Sequence, residues 1–151
     1  MLLYDNAFHF FRSILNGTIN KCSGENAIRD LLARFYEGWN THDVEKMVSV
    51  YADDIDHINV FGEWHKGKQV MKEALAQFHA GPAKNSQKAY TIEKIRFVKP
   101  DVAVVQVRSI STVGNIGTYV LDKATGKWLV VSFTNVGYEL KPTETKSFGN
   151  E

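Results

Sequence analysis

The amino-acid sequence predicts an α+β domain in which three main helices pack on a mostly antiparallel sheet. In the first half of the chain, apolar residues recur every three or four positions, which is typical of amphipathic helices. The second half alternates every second residue and is divided by short turns that contain glycine, as in antiparallel strands. A length of 151 residues suits one domain of ordinary size.

The ends of the chain differ from its centre. We divide it into an N-terminal extension at 1–22, a main domain at 23–140 and a polar tail at 141–151. The extension is expected to form a short helix with Phe8, Phe11 and Leu15 on one face. The turn-forming residues at 16–18 predict its end, and we expect the C-terminal tail to fray.

The helices of the main domain follow from their apolar stripes. Residues 25–39 predict the first, with its stripe at Ile28, Leu31, Leu32, Phe35 and Trp39. Ser23 is the expected N-cap, and residues 40–43 supply a stop and a new cap. A second, shorter helix carries Val44, Met47, Val48 and Tyr51. The third helix ends at Gly81-Pro82 and is expected to bury Val70, Met71, Ala74, Leu75 and Phe78.

Strands are predicted where the period changes to two. A turn at 52–54 precedes the first strand, and residues 63–66 form a loop after it. One face of that strand carries Ile55, His57, Asn59 and Phe61. The later strands are expected at 90–98, 102–112, 116–122 and 128–138. Because short turns join the later strands in order, they should form an antiparallel meander.

One strand departs from simple alternation. Val102-Ala103-Val104-Val105-Gln106-Val107 is almost continuously apolar, whereas an antiparallel strand with one wet face alternates. We therefore expect both faces of the sheet to be covered, one by the helices and the other by a second subunit. The predicted assembly is a homodimer through the sheet, which a charge at Val105 should separate.

Composition excludes several classes of function. A formal charge of +1 provides no electrostatic footprint for nucleic acid or an anionic membrane. No apolar run approaches the ~18 residues of a membrane span. Cys22 is the only cysteine, so it forms no intramolecular disulfide, and a cytoplasmic location fits best. No glycine-rich phosphate loop or cysteine pair occurs, so we predict no cofactor. A small molecule and a second copy of the chain remain as partners.

Several short motifs occur in a recognisable order. They are Phe35-Tyr36-Glu37-Gly38-Trp39-Asn40-Thr41-His42-Asp43, Tyr51-Ala52-Asp53-Asp54, Asn59-Val60-Phe61-Gly62-Glu63-Trp64-His65-Lys66-Gly67, Val98-Lys99-Pro100-Asp101-Val102-Ala103-Val104, and Gly126-Lys127-Trp128 with Asn135. Over about residues 26–138 the chain resembles the nuclear transport factor 2-like superfamily, in its SnoaL-like and SgcJ/EcaC-like branches. The resemblance implies a cone-shaped fold, in which a curved sheet wraps the helices and leaves a pocket open at one end. This fold hosts isomerases, cyclases, dehydratases, binders and association domains, so the resemblance implies a fold more than a function.

Steroid isomerases of the same fold offer a mechanistic comparison. They use a carboxylate base, a tyrosine and a protonated carboxylic acid. By resemblance the base position falls at Asn59, whose amide cannot accept a proton at neutral pH. The tyrosine position falls near Phe35, which lacks a hydroxyl, and residues 116–118 contain no carboxylic acid. The resemblance therefore does not extend to steroid isomerase chemistry.

His57 and Asn59 are the catalytic candidates, because the strand period places both on one face. If that face lines the cone, His57 can act as a base near neutral pH and Asn59 can donate to a substrate carbonyl. The alternative is a strand histidine that lies exposed at the rim or hydrogen-bonds a backbone carbonyl.

The ligand-binding candidates are Trp39, Phe61, Trp64, His79, Arg108, Tyr119 and Asn135. The aromatic members can form pocket walls, with core packing as the alternative. His79 either reaches over the mouth of the cone or complements the dipole at the end of the third helix. Arg108 binds an anionic substrate group or pairs across a dimer interface. Asn135 orients a ligand or ties down the end of a strand.

Three carboxylates near two histidines, Asp53, Asp54 and Asp56, are candidate metal ligands. The spacing matches neither a zinc-binding histidine pair nor a calcium loop, so we predict no metal. Turn formation accounts for Asp53 and Asp54.

The leading hypothesis for the function is that the cone pocket binds a small apolar or aromatic molecule and turns it over by acid/base chemistry. The rival hypothesis, from another class, is a non-catalytic association or ligand-binding module.

Overall fold

A computed structural model describes residues 3–141, with side chains from residue 17 onward. The helices are α1 (Leu3–Thr41), α2 (Val44–Val48) and α3 (Lys68–Ala80). The strands are β1 (Tyr51–Ile58), β2 (Trp64–Lys66), β3 (Ala89–Lys99), β4 (Val102–Ile110), β5 (Gly114–Asp122) and β6 (Leu129–Tyr138). The strands form one curved, open sheet on which the helices pack, and this confirms the predicted α+β class.

The sheet has the strand order β2-β1-β6-β5-β4-β3. The predicted antiparallel meander is confirmed for β3 to β6. β1 pairs in parallel with β6 at the edge of this meander, and β2 pairs antiparallel with β1. This order brings the first strand beside the last, so that residues far apart in sequence share one face of the sheet.

The first helix is longer than the sequence predicts. The expected break at residues 16–18 and the expected N-cap at Ser23 are both wrong, because α1 continues through them. Gly24 is buried where the helix crosses β3, and a Cβ there would lie 3.1 Å from the Phe97 ring. Because glycine has no Cβ, α1 can pack closely against β3 at this position. The glycine costs about 1 kcal/mol in helix propensity. The predicted face at Phe8, Phe11 and Leu15 and the tail beyond residue 141 lie outside the described residues.

The junction after α1 follows the prediction only in part. Asp43 caps α2, accepting a hydrogen bond at 2.9 Å from the Lys46 backbone N–H, as expected. The predicted turn at 52–54 is wrong, because β1 already begins at Tyr51 and pairs with β6. The predicted loop at 63–66 is likewise wrong, since β2 forms there against β1. Pairing with a neighbouring strand satisfies backbone groups that a local turn would leave to solvent.

The third helix buries a slightly different face from the one predicted. Its buried residues are Met71, Leu75 and His79. Val70 and Phe78, predicted to be buried, are 48% and 37% exposed. The helix is therefore rotated so that its last turn buries His79 against Trp39 of α1, while Phe78 reaches the same ring but stays 37% exposed.

The core lies between α1, α2, α3 and the inner, helix-facing side of the sheet. Its fully buried side chains are Tyr51, Tyr119, Ile28, Leu32, Met47, Ile55, Leu121, Val50, Val105, Val107 and Val130. Val105 therefore faces the helices, and its predicted place at a subunit interface is wrong. The neighbouring Val104 and Gln106 are only partly buried and lie on the outer side. In residues 3–141, no helix combines the length and apolar character needed to cross a membrane.

Candidate functional site

A cavity of about 1160 Å³ opens between the helices and the inner side of the sheet. Its walls come from α1, α3, the segment after α3 and the inner residues of β1, β4, β5 and β6. Exposed side chains such as Phe61 and Val113 lie on its rim, so this end is open to solvent. The volume lies slightly above the range of about 300–1,000 Å³ that is usual for small-molecule sites.

The inner side of the sheet changes character toward the cavity. On β4 the inner residues run from Ala103, Val105 and Val107 to Ser109. On β5 they run in the opposite chain direction, from Leu121 and Tyr119 to Gly117 and Asn115. On β6 they run from Val130 and Phe133 to Asn135. Each strand thus becomes polar at the same end of the sheet, where the cavity opens.

His57 lies on the inner side of β1 and is 7% exposed. Its ring packs on Phe133 with 4.7 Å between ring centroids, and the ring of His65 lies at 6.1 Å. Burial lowers the pKa of His57 to about 4, and the charges of His65 and Lys88 act in the same direction. The imidazole is therefore neutral at pH 7. Its Nδ1 is buried and has no hydrogen-bond partner among the described residues.

Asn59 lines the cavity, but its side chain is used in the turn after β1. Its Oδ1 accepts hydrogen bonds from the backbone N–H groups of Phe61 and Glu63 at 2.9 and 3.0 Å. Its Nδ2 donates to the Glu63 carboxylate at 2.6 Å. These bonds fix the loop between β1 and β2 and account for Asn59 as a structural residue.

A pair of tyrosines lies on the floor of the cavity. The hydroxyl groups of Tyr36 and Tyr119 are 3.3 Å apart, and both residues are buried. Tyr36 stacks on Tyr90 at 4.1 Å between ring centroids, and Tyr119 packs on Phe133 at 4.4 Å. Burial raises the pKa of both hydroxyls, so they are neutral groups that can donate or accept a hydrogen bond.

A polar row crosses three strands nearer the mouth. Ser109 of β4 lies opposite Asn115 of β5, and both are 4% exposed. Asn135 of β6 lies opposite Gly117 of β5. The Asn135 Oδ1 is buried without a hydrogen-bond partner in the described part of the chain. Such an acceptor is costly to bury unless a further donor reaches it.

Trp39 and Lys88 form the opposite wall. Trp39 is 7% exposed, and the Lys88 Nζ lies 3.6 Å from the centroid of its ring. Asn40 holds the Lys88 backbone at both groups, accepting from its N–H at 2.8 Å and donating to its carbonyl at 3.0 Å. Burial lowers the pKa of the Lys88 ammonium to about 8. The lysine thus places a cation at the cavity wall at pH 7.

The other aromatic candidates differ in position. Phe61 lines the cavity at its rim and is 77% exposed. The structure does not place Trp64 on the cavity wall, because it lies on the outer edge of the sheet in β2. Its indole Nε1 donates to Asp56 at 2.7 Å, and the Lys66 Nζ lies over its ring at 4.1 Å.

His79 and Arg108 also lie off the cavity wall. His79 packs its edge on Trp39 at 4.6 Å, and its Nδ1 lies 2.8 Å from that of His42. Burial lowers the pKa of His79 to about 4, so it does not supply a cation to the helix dipole at pH 7. Arg108 lies on the outer side of β4, where it donates to Glu93 at 2.7 Å and to the Tyr138 hydroxyl at 2.9 Å.

The acidic residues near β1 are not arranged as metal ligands. Asp53 and Asp54 are exposed strand residues, and Asp56 accepts the Trp64 indole N–H. Among residues 17–141, no group of three or more potential ligands converges on one point.

The sequence did not predict several of the cavity residues, among them Tyr36, Lys88, Ser109, Asn115 and Phe133. Helical spacing could have found Tyr36, which lies four positions after Leu32 on the buried face of α1. Strand alternation could have found Asn115, which shares the inner side of β5 with Tyr119. Lys88 lies in an irregular segment before β3, where no periodicity predicts which side chain turns inward.

Comparison with solved structures shows the fold. A domain of unknown function with a cystatin-like fold from Nostoc punctiforme gives a TM-score of 0.73 at 18% identity, covering 83% of each chain. An uncharacterised Caulobacter vibrioides protein with the same kind of fold gives 0.72 at 20% identity, covering 83% of this chain and 96% of that one. A ketosteroid isomerase-like protein from Erwinia carotovora atroseptica gives 0.65 at 17% identity, covering 76% and 96%.

The family is shown by sequence. No curated protein sequence matches the chain. The model of the SnoaL-like domain, however, matches residues 32–140. This range begins in α1, ends just after β6 and includes every strand and the cavity. The chain therefore belongs to the SnoaL-like domain family, within the nuclear transport factor 2-like superfamily.

Proposed function

We propose that the cavity binds a small, largely aromatic organic molecule and that His57 exchanges a proton with it. The observation that carries the proposal is two unpaired polar atoms in a cavity whose inner walls are rich in aromatic rings. His57 Nδ1 and Asn135 Oδ1 are buried without partners in the described structure. Buried polar groups are normally hydrogen-bonded, and exceptions are common where a ligand or reacting group completes the site.

The walls favour a flat apolar ligand. Trp39, Tyr36, Tyr119 and Phe133 present rings around the space. Aromatic rings in a pocket gain from burial of apolar area and from edge-to-face or stacked contacts. The polar row of Ser109, Asn115 and Asn135 lies at one end only, so a ligand with one polar end would be oriented by it.

The proposed chemistry is proton transfer. His57 is neutral at pH 7, so a ring nitrogen is available to accept a proton from a carbon adjacent to a carbonyl group, although the burial that lowers its pKa also makes it a weaker base. The resulting enolate oxygen would accept hydrogen bonds from neutral donors, such as the Tyr36–Tyr119 pair or the cavity amides. Return of the proton from His57 to carbon then completes an isomerisation or an exchange, without a further reagent.

Hydrogen–deuterium exchange at the α-carbon of 2-tetralone tests this proposal. The ketone is aromatic and bicyclic, and NMR in D₂O reports loss of its α-hydrogens without requiring the natural substrate. We expect the protein to accelerate exchange above the buffer rate, and His57→Gln to lose at least about 90% of that acceleration, since general bases contribute about 10²–10⁴-fold. His42→Gln, a histidine outside the cavity, is the matched control and should retain it.

Two results would contradict the proposal in different ways. Equal acceleration by wild-type protein and His57→Gln would exclude His57 as the base. Saturable binding of the ketone with no acceleration would leave a binding module without proton transfer.

We also propose that a second copy of the chain covers the outer side of the sheet. On that side Val104 lies opposite Val120, and Ile116 lies opposite Arg108. All four are only partly buried in one subunit. An apolar cross-strand pair beside a further isoleucine on a wet face favours association, and a non-catalytic association module is the function that this observation supports.

A further inference from the structure

The position of Lys88 is fixed by the end of α1. Asn40 accepts from the Lys88 N–H at 2.8 Å and donates to its carbonyl at 3.0 Å. Trp39 comes directly before Asn40 in α1, and the Lys88 Nζ lies over its ring, 3.6 Å from the centroid. Main chain and side chain are thus both held, and the ammonium is directed to the cavity wall.

No carboxylate balances this cation. In the described part of the chain, no ion pair joins Lys88 to an acidic side chain. Glu63 is the only carboxylate among the described residues that line the cavity. Its Oε2 accepts a hydrogen bond from Asn59 at 2.6 Å and lies 3.8 Å from His65 Nε2. Lys88 is partly buried. A cation that loses part of its hydration is normally paired, and an aromatic face compensates only part of that loss.

The other titratable groups do not supply negative charge. Burial is the main cause that lowers the pKa of His57 and of His79, and the charge of Lys88 contributes in each case. Both imidazoles are therefore neutral at pH 7. Burial keeps the nearby tyrosine hydroxyls neutral as well. Lys88 is accordingly the partly buried cation of the cavity lining, while the second lysine of the lining, Lys84, is exposed to solvent.

We propose that the ligand is an organic monoanion, an aromatic or apolar acid whose carboxylate binds the Lys88 Nζ. The inference rests on the proposed function, since it requires that the cavity bind a small molecule, and it adds the charge of that molecule. A carboxylate fits better than a phosphate, because the described lining contains no arginine and, beside Lys88, only the solvent-exposed Lys84 as a second cation, which gives few donors for a dianion. Lys88 is thereby a specificity-determining residue that selects acids over neutral molecules of the same shape.

The test compares 2-naphthoate with naphthalene-2-carboxamide, which have the same ring system and differ in charge. Binding is measured by the fluorescence of each probe at pH 7 and low salt. We expect wild-type protein to bind the acid at least about tenfold more tightly than the amide, the ratio that one retained ion contact provides. Lys88→Met should lose this preference while binding the amide within about twofold of wild type.

Lys66→Met is the matched control. Lys66 also holds its ammonium over a tryptophan ring, at 4.1 Å from the Trp64 centroid, but lies outside the cavity. Its replacement should leave both affinities unchanged. If Lys88→Met does not fold, wild-type protein titrated from pH 7 to pH 9.5 gives the same information. Deprotonation of Lys88 should weaken binding of the acid and spare the amide.

The outcomes separate the two proposals. Equal affinity of wild-type protein for acid and amide, or retention of the preference in Lys88→Met, overturns the role of Lys88 and leaves the proposed function intact. Failure of wild-type protein to bind either probe overturns the proposed function and this inference with it.

Discussion

The two ends of the same sheet are built differently. At the closed end, the inner residues are aliphatic and fully buried, as Leu121, Val105 and Val130 show. At the open end, the inner residues are Ser109, Asn115 and Asn135, on the same three strands. Backbone pairing continues through both ends without a change of direction. Apart from a register shift against β6 between Val120 and Leu121, the difference lies in the side chains.

This difference separates stability from function within one element. The closed end contributes packing and removal of apolar area from water, which are the main favourable terms in folding. The open end contributes buried polar atoms, some without partners, which cost stability. A sheet that tolerates such a cost at one end is expected to use those groups for binding or catalysis.

Leu121→Ala should destabilise the core at the closed end, and this is the largest expected effect on the free energy of unfolding. Leu121 is fully buried in the core, so truncation leaves a cavity and should lower the free energy of unfolding by about 3 kcal/mol. Asn135→Ala, on the inner side of the adjacent strand, should change it by less than about 1 kcal/mol because it removes an unpaired acceptor. Urea denaturation of both variants measures the contrast. Equal losses would show that the two ends contribute alike.

Acidification should lower the free energy of unfolding, because His57 at the open end is buried in its neutral form. His57 has a pKa of about 4 in the folded protein, against about 6.5 unfolded. Between these values the unfolded chain binds the proton that the folded chain does not, so stability is full above pH 6.5 and falls as the pH drops toward 4. At pH 5 the loss from His57 is about 2 kcal/mol by this linkage.

Urea midpoints at pH 7.5, 6 and 5 measure the loss on acidification. Replacement by a residue that does not titrate, His57→Gln, should reduce the dependence on pH. His79 should supply the remainder, because burial lowers its pKa in the same direction. Stability that is constant from pH 7.5 to 5 in the wild type would contradict buried, neutral histidines at both positions.

The sequence predicted the closed end better than the open one. Periodic apolar residues located the helices and the four strands of the meander, because core packing imposes that periodicity. It misplaced the start of β1 and missed β2, since strand pairing with distant residues decided those segments. At the open end it nominated His57 and Asn135, which line the cavity, but missed Lys88. The main chain of Lys88 is held by Asn40, 48 residues away, and no local pattern encodes such a contact.

The outer side of the sheet gives the smallest expected effect on the stability of one subunit. Val104 is partly buried on the outer side of β4, opposite Val120. Val104→Lys should change the free energy of unfolding of the subunit by about 0.5 kcal/mol or less, as for surface substitutions in general. If a second copy covers this side, however, the buried ammonium should dissociate the dimer, because an unpaired charge at an apolar interface is costly.

Sedimentation equilibrium of the wild type and two variants distinguishes these effects. Val98→Lys makes the same change on the edge strand β3, at a valine that is 56% exposed, and should leave the assembly unchanged. A dimeric wild type that becomes monomeric only with Val104→Lys would explain why β4 is apolar on both of its sides. Val105 and Val107 would then serve the core of one subunit, and Val104 the contact between two. A monomeric wild type would contradict the dimer and leave the valines of the outer side without a partner.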